Sequence, residues 1–196
     1  MKNSVKRNGK NCVLLLDDGS HFFGIGSGYF GDFLGEICFN TSITGYQEIL
    51  TDPSYFNQII NFTFPHIGVV GANFDDYESD KIYASGCIIN NPVSAASNFR
   101  SKMDFEKWLK LNKKVCVSII ETRALTKRIR NLGACKALIH FPENANFENI
   151  RNLKSKLMKF PSMKNLDLAS EVSTRNIYKW FNQKKLRSFK IHKNFI

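Results

Sequence analysis

The sequence predicts an α/β domain, a mixed β-sheet with flanking helices in which strands come mainly first and helices later. Three observations lead there. Short apolar runs rich in β-branched and aromatic residues crowd the first half, and segments with apolar residues at helical spacing occupy the second. The composition, 43% hydrophobic and 23% charged over 196 residues, belongs to a chain able to bury a core and excludes a disordered or fibrous one.

The first two strands, residues 12–16 and 21–25, flank Asp17-Asp18-Gly19-Ser20, a turn signal that makes them a hairpin. The run Gly24-Ile25-Gly26-Ser27-Gly28 has its third glycine one residue too early for a dinucleotide fingerprint, and no helix follows, so it reads as a loop at a strand end. Further strands are expected at 36–40, 58–64, 81–89, 115–120 and 136–141. A helix barely two turns long is expected at 45–51, with Thr44 as its cap, Gln47 completing a capping box and Pro53 ending it. Residues 101–111 bring Phe105, Trp108 and Leu109 to one face, with Ser101 as cap and Asp104 in the first turn. Residues 122–132 align Leu125, Ile129 and Leu132 and stop at Gly133, while 147–158 align Phe147, Ile150, Leu153 and Leu157 before Pro161. Residue 175 onward mixes aromatics with lysines without a period. The organisation expected is a basic extension at 1–10, a domain at 11–174 and a basic tail or linker at 175–196.

The net charge of +11 invites a nucleic-acid reading, but its location argues otherwise. Lys2, Lys6, Arg7 and Lys10 precede the first acid, and Arg175, Lys179, Lys184, Lys185, Arg187, Lys190 and Lys193 follow the last, which leaves 17 basic and 17 acidic residues between them. The body is neutral, so no nucleic-acid partner is expected. No run reaches the roughly 18 apolar residues of a membrane span, and the apolar stretch after the basic N-terminus is too short for a signal peptide, so the expected location is cytoplasmic, with no membrane partner.

Cys12, Cys38, Cys87, Cys116 and Cys135 contain no C-x-x-C pair, and His21, His66, His140 and His192 lack ligand spacing, so no metal is assigned. Ser85-Gly86-Cys87-Ile88-Ile89 lacks the second glycine of a nucleophile elbow, and a stand-alone cysteine hydrolase is the weaker alternative alongside the nucleic-acid module. The segment from Asn40 to Tyr55 differs in kind, because hydroxyls, an amide and two carboxylates gather around one short helix. Such loops either are elaborate capped turns or line polar cavities.

The run GEICFNTSITGYQEILTDPSYFNQIINFTFPHIGVVG resembles the most characteristic block of the small, glutamine-hydrolysing subunit of carbamoyl-phosphate synthetase. Gly71-Ala72-Asn73 with Glu78-Ser79, Ala96-Ser97-Asn98-Phe99-Arg100, Thr122-Arg123-Ala124-Leu125-Thr126 with Arg130 and Gly133, and Asp167-Leu168-Ala169 with Val172-Ser173 extend the resemblance across residues 12–174. Glu121 stands where the family usually has aspartate, and Ala137 where glycine is usual. The resemblance implies a swivelling β/β/α fold and an N-terminal domain. The family's glutamine amidotransferase domain, with its nucleophilic cysteine, has no counterpart in these residues, so no catalytic residue is expected here and the chain alone is expected to be inactive.

By the same resemblance the partners are a large synthetase subunit, which would bind ATP and magnesium while this chain binds no cofactor, and an amidotransferase domain if one is supplied separately. Carbamoyl phosphate made by such a ligase feeds arginine and pyrimidine synthesis. Motif match places Ser54 at the glutamine site and Ser42 and Asp52 along the ammonia passage.

Overall fold

The computed structural model describes residues 9–144, 146–175, 179–181 and 184–186, the last two stretches by their backbone. The chain divides into two compact units, Met1–Asn165 and Leu166–Ile196. Residues 1–8 of the predicted basic extension, and most of the tail, lie outside the described residues.

The first unit is a closed seven-stranded barrel. Its strands are β1 (Cys12–Leu16), β2 (His21–Gly28), β3 (Gly31–Asn40), β4 (Gln58–Phe62), β5 (Gly86–Ile88), β6 (Val115–Ser118) and β7 (Lys136–Phe141), and the ring runs β1-β2-β6-β5-β4-β3-β7. β3, β4, β5 and β6 are parallel neighbours, while β1, β2 and β7 join antiparallel. The helices are α1 (Tyr46–Thr51), α2 (Phe105–Leu111), α3 (Thr122–Leu132) and α4 (Ile150–Lys159).

Three apolar clusters follow from the two-residue alternation of the strands. Leu14, Leu16, Ile37, Ile59, Ile88, Val117 and Ile139 fill the barrel, joined by Leu125 and Ile129 of α3. The outer face of the parallel strands, through Ile60, Cys87 and Cys116, packs under Leu50 of α1 and Phe105, Trp108 and Leu109 of α2. Val13, Leu15 and Leu138 turn outward onto Leu153 and Leu157 of α4. β1 is therefore covered on both sides, which is why CVLLL is a continuous apolar run.

Several sequence expectations are corrected. The glycine run is not a loop: Gly24, Gly26 and Gly28 lie within β2. A Cβ on Gly24 would lie 2.4 Å from the Ser118 carbonyl oxygen, and one on Gly26 would lie 2.5 Å from the Phe141 ring. β2 thus crosses its neighbours at a spacing that only glycine permits. β3 begins five residues before the expected 36, because Gly31 to Gly35 pair with β7. The predicted strand at 81–89 shrinks to Gly86–Ile88. Ser101 is no cap, since α2 starts at Phe105 after Asp104. α4 starts at Ile150, where the Asn149 side chain accepts the Arg151 N–H, not at 147. Leu132, expected on the buried face of α3, is 43% exposed.

In the second unit, α5 (Leu168–Val172) is capped by Asp167, which accepts the Ser170 N–H at 3.1 Å. β8 (Lys179–Phe181) and β9 (Lys184–Leu186) form an antiparallel pair within the predicted tail. No helix among the described residues is long and apolar enough to cross a membrane.

The Gly24 crossing generates a prediction. Gly24→Ala is expected to lose about 1–3 kcal/mol of stability through forced backbone displacement. Urea unfolding would show this as a lower midpoint at unchanged slope. A midpoint equal to that of the unsubstituted chain would mean the crossing is looser than the geometry indicates.

Candidate functional site

β3, β4, β5 and β6 all end on one side of the barrel, the side on which parallel α/β folds place their ligand sites. The segment Asn40–Tyr55 leaves from there. Asn40, the last residue of β3, organises it: its Oδ1 accepts the Ser42 N–H at 2.8 Å, its Nδ2 donates to Tyr55 Oη at 3.0 Å, and its carbonyl accepts the Thr63 N–H at 3.1 Å. One amide side chain thereby ties the start of the segment to its end and leaves Ser42 and Ser54 exposed.

Between them α1 is fixed by buried polar bonds. Gln47 and Asn73 pair reciprocally, Gln47 Nε2 donating to the Asn73 carbonyl at 2.6 Å and Gln47 Oε1 accepting the Asn73 N–H at 2.9 Å. Tyr46 Oη donates to the Gly71 carbonyl at 2.6 Å, and Thr51 Oγ1 accepts the Glu78 N–H at 3.0 Å. Asn73 Nδ2 in turn donates to Asp76, which Arg100 pairs with. The predicted capping box is therefore replaced. Thr44 is exposed and forms no cap bond, and Gly45 takes the cap position at φ 83, a left-handed conformation suited to glycine. Gln47 is spent on Asn73 because that pair removes two buried polar groups from solvent together. Half-burial holds the Glu48 carboxyl above its usual range, with Asp76 and Glu78 adding to the effect and Arg100 opposing it.

Asp52 caps the turn of 3₁₀-helix Pro53–Tyr55, its Oδ1 accepting the Ser54 N–H at 2.8 Å. The hydroxyls of Ser42 and Ser54 and the second oxygen of Asp52 make no hydrogen bond among the described residues. Ser42 lines a small, solvent-open pocket with Ile43, Thr44, Tyr46, Phe62, Phe64 and Ile67. Asp52 and Ser54 are not among its lining residues. Fixed acceptors and free hydroxyls held on a rigid turn can bind a small polar group, but nothing here activates a nucleophile.

Four of the five cysteine thiols, those of Cys12, Cys38, Cys116 and Cys135, are pushed above the usual thiol value. Burial pushes Cys12 well up and brings Cys38 and Cys135 to about 12, while the hydrogen bond with Cys87, and burial after it, push Cys116 well up. Cys135 donates to Asp17 at 3.0 Å, an acceptor that further stabilises the thiol form.

A second polar cluster carried no local sequence signal. Asp32 of β3, His140 of β7 and Glu148 bring one ligand-type atom each within 4.8 Å of one another. His140 Nδ1 lies 2.5 Å from Asp32 Oδ1, and His140 Nε2 accepts the Glu148 N–H at 3.3 Å. Lys156 of α4 donates to Asp32 at 2.7 Å and to Glu148 at 2.5 Å. The ammonium sits where a cation bound by both carboxylates would sit, and the imidazole uses one nitrogen as donor and the other as acceptor. The cluster is an ion-pair clasp that pins α4 to the barrel. Its hydrogen bond to His140 first, and those to Lys156 next, hold the Asp32 carboxyl below its usual range.

The comparisons with known proteins agree with one another. The family described as "Carbamoyl-phosphate synthase small chain, CPSase domain" matches residues 14–139. A carbamoyl phosphate synthase small chain of Buchnera aphidicola subsp. Acyrthosiphon pisum is 46% identical over 186 residues, 93% of this chain and 47% of the relative. Those of Zymomonas mobilis and Vibrio cholerae are each 44% identical, over 167 and 171 residues, covering 85% and 87% of this chain and 44% of each relative. The chain thus spans about half the length of the curated relatives it matches.

The clasp has a pH signature. A carboxyl held low in the folded state contributes stability above its ordinary value near 4 and loses it as pH falls through the lowered value. Asp32→Asn is expected to lose about 1–3 kcal/mol at neutral pH, with the gap closing in acid, as read by urea unfolding across a pH series. A gap that stays constant down to strong acid would remove the carboxylate charge from the account.

Proposed function

The chain belongs to the carbamoyl-phosphate synthase small-chain family, and we propose that it serves as the N-terminal domain of such a subunit. It docks on a large synthetase subunit and frames the path by which ammonia, released from glutamine by an amidotransferase domain, reaches the site of carbamoyl phosphate synthesis. On this reading the large subunit supplies the ATP and magnesium chemistry in the cytoplasm, and the product serves arginine and pyrimidine synthesis. On this reading the barrel with helices on its flanks is taken as the swivelling β/β/α fold that the family resemblance implies.

The observation that carries the reading is the Asn40 brace. It holds Ser42 and the Ser54 turn on one rigid segment while leaving both hydroxyls and one Asp52 oxygen free. Ammonia has to be kept from bulk water yet supplied with hydrogen-bond partners, which carboxylate and hydroxyl groups provide. Ser54 is assigned to the glutamine side of the passage, and Ser42 and Asp52 to the passage itself. The raised thiols of Cys12, Cys38, Cys116 and Cys135 and the full burial of Cys87 give a stand-alone cysteine hydrolase no support.

The test uses a chimera in which this chain replaces the first half of the Buchnera relative, assembled with its large subunit. Ser54→Ala is expected to raise the glutamine requirement about 2- to 10-fold, the equivalent of one hydrogen bond of 0.5–1.5 kcal/mol, and to leave ammonia-driven synthesis intact. Asp52→Ala is expected to leave glutamine hydrolysis running while glutamine-driven synthesis falls. Loss of all activities in parallel with a lowered melting temperature would reduce the segment to architecture, since a lost cap alone costs about 1 kcal/mol.

A further inference from the structure

We propose that the exposed flank of α3, together with the apolar rim beside it, is the surface that seats an acidic face of the partner subunit. The inference rests on the reading above for the partner's identity and on the following geometry for its location. Arg123, Lys127 and Arg130 recur at i, i+4 and i+7, which puts them on one flank of α3, and all three are exposed. None of them has an ion pair or hydrogen bond among the described residues, whereas Arg128 of the same helix pairs with Asp18. α3 itself carries no acid. In a body whose charges balance overall, three unpaired cations on one helix face make a local positive stripe that complements carboxylates.

Exposed apolar side chains lie near the start of the same helix. Ile119, three residues before α3, is 37% exposed and has φ 62, a left-handed conformation that a β-branched residue rarely adopts. Its N–H is bound to the Asn90 carbonyl at 3.0 Å, so the strain is held in place and the side chain is kept outward. Strained backbone of this kind concentrates at binding sites. Phe39, 38% exposed, is the register partner of Asn61, whose amide donates to the Thr122 carbonyl at the start of α3. Ile43, 68% exposed, leaves from the end of the same strand as Phe39. Apolar groups bordered by charge are the composition of a protein interface with a polar rim.

The experiment measures binding of the purified chain to the large synthetase subunit of the Buchnera relative at low and physiological salt, beside a duplex DNA probe. The test variants are the triple substitution Arg123→Glu, Lys127→Glu, Arg130→Glu and the single substitution Ile119→Gly. Both are expected to keep the melting temperature at or above that of the unsubstituted chain, since the cations hold no partner and glycine relieves the strained position. The triple variant is expected to bind the large subunit at least about 10-fold more weakly and to lose the salt dependence. Ile119→Gly is expected to bind more weakly at both salts. Undiminished binding by the folded triple variant overturns the inference and leaves the proposed function standing. No binding by the unsubstituted chain overturns both. DNA binding as tight as that to the subunit, or self-association abolished by the triple variant, overturns the inference in favour of nucleic acid or of a second copy of the chain.

Discussion

The close passage of β2 over its neighbours is the constraint on which the rest of the first unit depends. β2 must pair with β1 on one side and β6 on the other to close the ring, and it can do so only because Gly24 and Gly26 leave room for the Ser118 carbonyl and the Phe141 ring. Closure gives every strand two neighbours and removes the exposed edges that open sheets must protect. It also separates the barrel's filling from the two outer layers, so that α2 and α4 each have their own apolar surface to cover. The functional segment inherits its rigidity from this arrangement, because Asn40 ends the stretch of β3 that pairs with β4, and the first half of the same strand pairs with β7.

How much of this was legible depended on whether the deciding partner was near in sequence. β1 and β7 match their expected bounds because continuous apolar runs bounded by turn residues identify strands covered on both faces. α3 matches because Leu125 and Ile129 at helical spacing and a terminal glycine act locally. The continuation of β2 past Ile25 reads in sequence as a strand-end loop, because what makes glycine necessary at Gly24 and Gly26 lies on β6 and β7, about a hundred residues away. Nothing short of tertiary structure reveals that.

The same distinction holds in the candidate site. The polar density of Asn40–Tyr55 stood out at once, and Ser42, Asp52 and Ser54 do lie on one braced segment. Its internal bonding was not readable, because Gln47 has a capping-box position in sequence and a better partner, Asn73, 26 residues on. A reciprocal pair that satisfies a side-chain amide and a backbone unit together outcompetes a cap exposed to water. The Asp32, His140, Glu148 and Lys156 clasp left no trace in spacing, since its members come from a strand, a distant strand, a loop and a helix. Local chemistry announces that a segment is special, and long-range pairing decides what holds it.

The ring order also has a kinetic meaning. β1 emerges first in synthesis, yet one of its two neighbours is β7, more than a hundred residues later, and β6 must be in place before β2 has its second partner. A nascent chain can form the β1–β2 hairpin early but cannot close the barrel until residue 141 has left the ribosome. Until then β1 and β2 each carry an unpaired edge, and Leu14, Leu16 and Phe22 lack most of the side chains they will pack against. Topologies dominated by such distant pairings fold slowly. The interval before closure is therefore when this chain is most open to misassociation, and the finished barrel least.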